Sequence, residues 1–148
     1  MLTDTLIRLF TRDLNQLKTE IGLYKEERNL WVLKKEISNT GGNLSLHIVG
    51  NLNHFIGAQL GNTNYIRQRS LEFSLKEVPK KEILLQIDET LGIVKNTLKA
   101  VSSENLKKNY PIEVFGHPMS TEYFLVHLST HLTYHLGQIN YHRRLLDY

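Results

Sequence analysis

The chain has 148 residues, 41% hydrophobic and 22% charged, which is enough to bury one core and too apolar for a disordered segment. It has no cysteine, which excludes disulfides, thiolate-ligated zinc, iron–sulfur clusters and a thiol nucleophile. The net charge of +3 comes from 18 basic and 15 acidic residues scattered along the chain rather than gathered into a nucleic-acid-binding stripe, and no apolar run reaches the ~18 residues that cross a membrane. The sequence therefore reads as one soluble, cytoplasmic domain over residues 1–148, with no visible signal peptide.

Four long amphipathic segments are predicted. The first runs from about Leu2 to Tyr24, with Leu6, Phe10, Leu14, Leu17 and Ile21 on one helix face and Thr3 or Asp4 as its cap. A short turn of helix is expected around Trp31, followed by a loop at Ser38–Gly42. The second helix is predicted from Asn43, a favourable cap residue, to about Leu60, with Gly61 in the left-handed closing position. Asn64 to Val78 is polar and reads as irregular; its Asn64–Phe73 part, with Tyr65, Arg67, Arg69 and Phe73, is a candidate pocket rim or interface and, as an isolated feature, reads as a solvated loop with aromatic anchors.

Pro79 suits the first position of the third helix, whose stripe is Ile83, Ile87, Leu91, Val94 and Leu98. Ser102 to Met119 is the longest connection, with Ile112–Val114 expected to be briefly extended; at that length it is a crossover or a lid. The fourth helix starts near Ser120 or Thr121 and runs to the last residues on Leu125, Leu128, Leu132, Leu136, Ile139 and Leu146. These elements predict an all-α, antiparallel four-helix bundle with a long connection between its third and fourth helices.

Seven histidines are the unusual feature, and four of them lie between His127 and His142. At ~100° per residue, His127, His131, His135 and His142 occupy one edge of the buried arc rather than the solvent face. His131 and His135 are four apart, so their rings stand one turn from each other and can converge on one metal ion, as in the zincin helix motif. Leu132 stands where that motif places its catalytic Glu, so metalloprotease chemistry is not indicated. On the second helix, His47 and Asn51 border the apolar face in the same way. If that helix neighbours the fourth, His47 faces the pair, and three imidazoles with one position left open suit catalysis better than structural zinc. The alternative is that these histidines are ordinary boundary groups, which is the reading of the residues alone for His54, His117, His127 and His142. Tyr123, Tyr134 and Tyr141 form a neighbouring stripe that reads as packing.

Asn43-Leu44-Ser45-Leu46-His47-Ile48-Val49-Gly50-Asn51-Leu52-Asn53 resembles the second helix of the DinB-like proteins, and His131-Leu132-Thr133-Tyr134-His135-Leu136-Gly137-Gln138-Ile139 resembles their fourth-helix motif. The likeness covers essentially the whole chain and is nearest to a branch of unknown function. It implies a four-helix bundle, often a homodimer, holding a divalent metal ion, zinc or nickel first among the choices, on His47, His131 and His135. His127, Gln138 and Asn51 become candidates for a second shell or pocket wall, and Asn51 or Glu122 for partners of the ligands' outer ring nitrogens. Members with known activity are transferases or isomerases that use a low-molecular-weight thiol such as bacillithiol or mycothiol.

Two functional readings follow. One is a metal-dependent transferase or hydrolase acting on a small molecule, with any thiol a cosubstrate because the chain has none; it predicts a pocket open to the metal and lined by the Ser102–Met119 connection. The other is a non-catalytic dimeric or metal-binding module, which predicts a closed site and a large apolar surface. Neither involves nucleic acid or a membrane.

Overall fold

In the computed structural model, which describes residues 1–148, every regular element is helical. α1 spans Leu2–Gly22, and the three- and four-residue spacing of Leu6, Phe10, Leu14, Leu17 and Ile21 gives it one fully buried face. Neither Thr3 nor Asp4 is its cap. Met1 takes that position, Thr3 is buried in the first turn, and Asp4 accepts a hydrogen bond from the Met1 nitrogen at 3.0 Å. A 3₁₀ turn, Glu27–Trp31, follows. The Asp147 carboxylate holds it from the far end of the chain, accepting from the Lys25 and Glu26 amides and from Asn29 Nδ2.

α2, Gly41–Leu52, begins earlier than its sequence suggests. Thr40 is the cap, its hydroxyl accepting from the Asn43 amide at 3.0 Å. Gly41 and Gly42 belong to the helix and not to the preceding loop. A side chain at Gly42 would stand 2.6 Å from the Trp31 ring, and one at Gly41 would strike the Tyr24 hydroxyl, so both glycines serve close packing. Asn43, the expected cap, instead donates its side-chain amide to the carbonyls of Glu72 (3.0 Å) and Leu75 (2.8 Å).

The helix does not stop at Leu52. It widens into a π-helical segment, Asn53–Ala58, and closes with Gln59–Gly61. Asn62, not Gly61, takes the left-handed closing position, at φ 51°. The stretch expected to be irregular contains α3, Arg69–Ser74, which packs across α2 and buries Glu72. All of α2 is therefore covered: apolar neighbours lie on one side and α3 on the other.

Pro79 caps α4, Lys80–Ala100, rather than occupying its first turn. The long connection holds α5, Ser103–Lys107, capped by Ser102. An isolated antiparallel bridge between Asn109 and Ser120 then pinches its base, with the Tyr110 amide donating to the Met119 carbonyl at 2.8 Å. Ile112–Val114 is not extended: the bridge turns the chain back on itself and leaves 111–118 as a looped tip. α6, Thr121–Leu146, is capped by Ser120.

The four long segments touch in the order α1, α4, α2, α6 and back to α1, around a core that includes Phe10, Leu14, Ile48, Ile87, Val94, Leu128 and Leu132. Buried polar links fix α1 on α6. Glu20 accepts from Arg143 Nε (2.8 Å) and Asn140 Nδ2 (2.7 Å), and Thr133 donates to Asp13 at 2.6 Å. Burial pushes the Glu20 carboxyl up, but the bonds from Arg143, Asn140 and Gln16 outweigh it and hold the group below its ordinary range. No helix is long and apolar enough to cross a membrane.

His142 belongs to this framework. Its Nε2–H donates to the Val32 carbonyl at 2.8 Å, and its Nδ1 accepts from the Tyr24 hydroxyl at 2.7 Å. Both ring nitrogens are used, and the side chain is buried. His142→Ala strands the Tyr24 hydroxyl and the Val32 carbonyl and opens a cavity, so a loss of about 3 kcal/mol in urea denaturation is expected.

Candidate metal centre

α2 and α6 are neighbours, and they bring His47 together with His131 and His135. The three donor atoms all lie within 4.8 Å of one another. His131 Nε2 is the hub, 3.2 Å from His47 Nε2 and 3.1 Å from His135 Nε2. The four-residue spacing on α6 sets the second of these contacts, and the packing of α2 on α6 sets the first.

The outer ring nitrogens explain why the inner ones converge. His47 Nδ1 lies 3.0 Å from Glu72 Oε1, and His135 Nδ1 lies 2.7 Å from Gln138 Oε1. Both partners are oxygen acceptors, so the hydrogen sits on Nδ1 and each Nε2 presents a lone pair to the cluster. Neither Asn51 nor Glu122 hydrogen-bonds to the triad. Glu72 in turn accepts from Arg67, at 2.9 Å from Nε and 2.9 Å from Nη2. Arg67 Nη2 also lies 3.4 Å from His47 Nδ1, but that is a donor beside a donor, and its hydrogens go to Glu72. Burial raises the Glu72 pKa, and the hydrogen bonds from His47 and Arg67 overcome this and hold it below the usual carboxylate range. Gly50 makes the approach possible, since a side chain there would run into the Glu72 carboxylate.

An Nε2–H on His131 can serve only one of its two neighbours, so at least one lone pair faces another nitrogen without a hydrogen between them. A single cation satisfies all three donors at once. Nitrogens bound to one tetrahedral zinc at ~2.0–2.1 Å stand about 3.3–3.4 Å apart. The observed 3.1 and 3.2 Å are close to that spacing. The donor set fits a divalent ion that accepts imidazole, such as zinc or nickel.

Beside the triad lies a cavity of about 280 Å³ that reaches His47 and His131. Val114 and Phe115, from the looped tip of the long connection, form part of its wall. His127 lines it too, stacked on Phe124 with ring centroids 5.7 Å apart and 6.2 Å from the His131 ring. Arg67 and Arg69 line its edge, which is the pocket-rim alternative for the 64–73 stretch rather than the plain solvated loop.

A family model described as a protein of unknown function (DUF1572) matches residues 6–147. The chain belongs to this family. No curated protein matches the chain. The DUF1572 description names no activity.

The other histidines of this DUF1572 chain lie outside the cluster. His54 is half-buried edge-on to Phe55, exposed His117 donates to the neighbouring Pro118 carbonyl, and His142 serves the core. Tyr123, Tyr134 and Tyr141 are 60%, 66% and 64% exposed, so the stripe expected to pack instead faces outward on α6. Sequence reasoning placed Arg67 and Arg69 at a candidate pocket rim but missed Glu72 and its pairing with Arg67. Their only signal is a carboxylate five residues after an arginine in a stretch without periodicity.

Burial pushes the His131 pKa down to about 3, helped by the nearby charges of His135, His47, His127 and Arg67. His135 is lowered as well, by burial and His47, against the opposing effect of the hydrogen bond its Nδ1–H donates to Gln138 Oε1. In the metal-free protein the unfolded chain binds protons at these positions below pH ~6.5 and the folded chain does not. Stability is therefore complete above pH ~6.5 and falls as pH drops from there toward about 3. Urea midpoints of metal-free protein between pH 7.5 and 5 are expected to decline steadily, before the paired carboxylates begin to titrate. His131→Ala should flatten that decline.

Proposed function

We propose that His47, His131 and His135 hold a divalent metal ion, zinc or nickel, in a DinB-type four-helix bundle, and that the protein is a metal-dependent transferase acting on a small molecule. The observation that carries this reading is the convergence of three Nε2 atoms, with the outer nitrogens of His47 and His135 oriented by Glu72 and Gln138. When bound, the ion supplies a Lewis-acidic position that lowers the pKa of a thiol or water. The chain's own residues do the rest. Glu72 and Gln138 keep the imidazoles in the ligating tautomer, and Arg67 neutralises the buried carboxylate. The looped tip, with Phe115 beside Phe124 and His127, forms one apolar wall of the cavity. The chain has no cysteine, so a thiol enters as a cosubstrate.

The cavity favours catalysis over a closed structural site, because it reaches two of the three ligands. The outward-facing stripe of Tyr123, Tyr134, Tyr141 and Leu145 on α6 supports a second reading, a homodimer formed on that helix. Dimerisation and catalysis are compatible; a dimer alone, without turnover, is the interaction-module alternative.

The test is a panel of low-molecular-weight thiols with a chromogenic electrophile, using zinc- and nickel-loaded protein. Turnover that needs both thiol and metal, and is lost in His131→Ala, is expected. Turnover without thiol would make the protein a hydrolase. None with any thiol, electrophile or ester would leave the interaction module.

A further inference from the structure

Residues 64–76 form a strap across α2. They lie between two left-handed positions, Asn62 at φ 51° and Glu77 at φ 58°. Asparagine tolerates that backbone; at Glu77 it is strained. Within the strap, Glu72 is the one buried residue. Tyr65, Ile66, Leu71 and Leu75 are 36%, 83%, 40% and 42% exposed, and no strap side chain belongs to the hydrophobic core. No backbone hydrogen bond joins the strap to the rest of the chain.

Its hydrogen bonds to the rest of the protein all fall on two side chains of α2. Asn43 Nδ2 donates to the Glu72 and Leu75 carbonyls, and Asn43 Oδ1 accepts from Lys76 Nζ. His47 Nδ1 donates to Glu72 Oε1 at 3.0 Å, and the Phe73 ring lies against the same imidazole with centroids 4.9 Å apart. One of the two anchors is therefore a member of the histidine triad. A segment held by so few ties opens more readily than the helices beneath it.

The hydrogen of a neutral His47 ring has two places to go. On Nδ1 it serves Glu72. On Nε2 it serves His131 Nε2, 3.2 Å away, and Nδ1 then turns a lone pair toward the Glu72 carboxylate. With Nε2 occupied by a cation, only the first choice remains. Occupancy of the triad and docking of the strap are then linked, each favouring the other.

We propose that residues 64–76 are a metal-latched strap: an ion at the triad fixes the His47 tautomer that holds Glu72, and loss of the ion frees the strap. Arg67 and Arg69 travel with it, so the cavity edge they form opens as well. This latch rests on the metal reading of the triad.

Hydrogen–deuterium exchange of the full chain, zinc-loaded against chelator-treated, tests the latch. Exchange at residues 69–75 is expected to slow at least about tenfold with zinc, while α5, another short helix at the surface, changes less than about twofold. Glu72→Gln in the Arg67→Met background should erase that difference at zinc concentrations that fill its weaker site. One bound zinc per chain with unchanged exchange at 69–75, or with equal slowing in α5, overturns the latch and leaves the metal reading intact. A difference that persists in the variant also overturns it, because Glu72 would then not be the tie. No bound zinc by elemental analysis overturns both.

Discussion

Glu72→Gln is expected to weaken zinc binding about 10–100-fold and to destabilise the metal-free protein by about 3–5 kcal/mol. Two different losses produce these two effects. The affinity falls because His47 Nδ1–H loses a carboxylate acceptor, and with it the interaction that fixes the ring and makes Nε2 a stronger donor. The stability falls because Arg67, with a side chain only 11% exposed, is left without its counter-ion. A double variant, Glu72→Gln with Arg67→Met, separates them. Removing both charges relieves the stranded guanidinium, so most of the stability should return while the affinity stays low. Urea denaturation in chelator and competition against a chromophoric zinc chelator read the two quantities. Unchanged affinity in Glu72→Gln would show that Glu72 does not orient a ligand.

Metal loading is expected to stabilise the protein strongly. An ion that binds only the folded chain contributes RT ln(1 + [L]/Kd), or about 4 kcal/mol at a free concentration a thousandfold above Kd. For a domain of this size that corresponds to a rise in Tm of about 10 °C or more. The effect should be largest near neutral pH, where the imidazoles are deprotonated, and should shrink as protons compete for them. Magnesium, which takes oxygen ligands, should produce no comparable shift. His131→Ala should abolish the zinc-induced rise while leaving a folded, helical protein, because the hub nitrogen is shared by both of the short contacts.

The long helices were legible because their cores repeat every three or four residues, as in Leu6, Phe10, Leu14, Leu17 and Ile21. The close approach of His131 and His135 was legible for the same reason: a spacing of four is itself a geometry. That His47 meets them required knowing that α2 and α6 pack together, which the resemblance implied and periodicity alone did not. The features that escaped are those that depend on contact rather than pattern. Gly41 and Gly42 read as loop because glycine signals a turn, yet here they clear space for Tyr24 and Trp31. Asn43 read as a cap, yet its amide ties down the α3 segment. The π-helical segment at Asn53–Ala58 widens the helix without any change in composition. Glu72 was invisible because a lone glutamate in a polar stretch normally faces water. Only the missing side chain at Gly50 and the guanidinium of Arg67 make its burial tolerable.

The central claim is tested most directly by elemental analysis of tag-free protein, after exposure to zinc, nickel and manganese and exhaustive dialysis, beside the His131→Ala/His135→Ala variant. The account predicts close to one zinc or nickel ion per chain in the parent and none in the variant, with circular dichroism showing both folded. No bound metal in the folded parent, or equal metal in parent and variant, would contradict it.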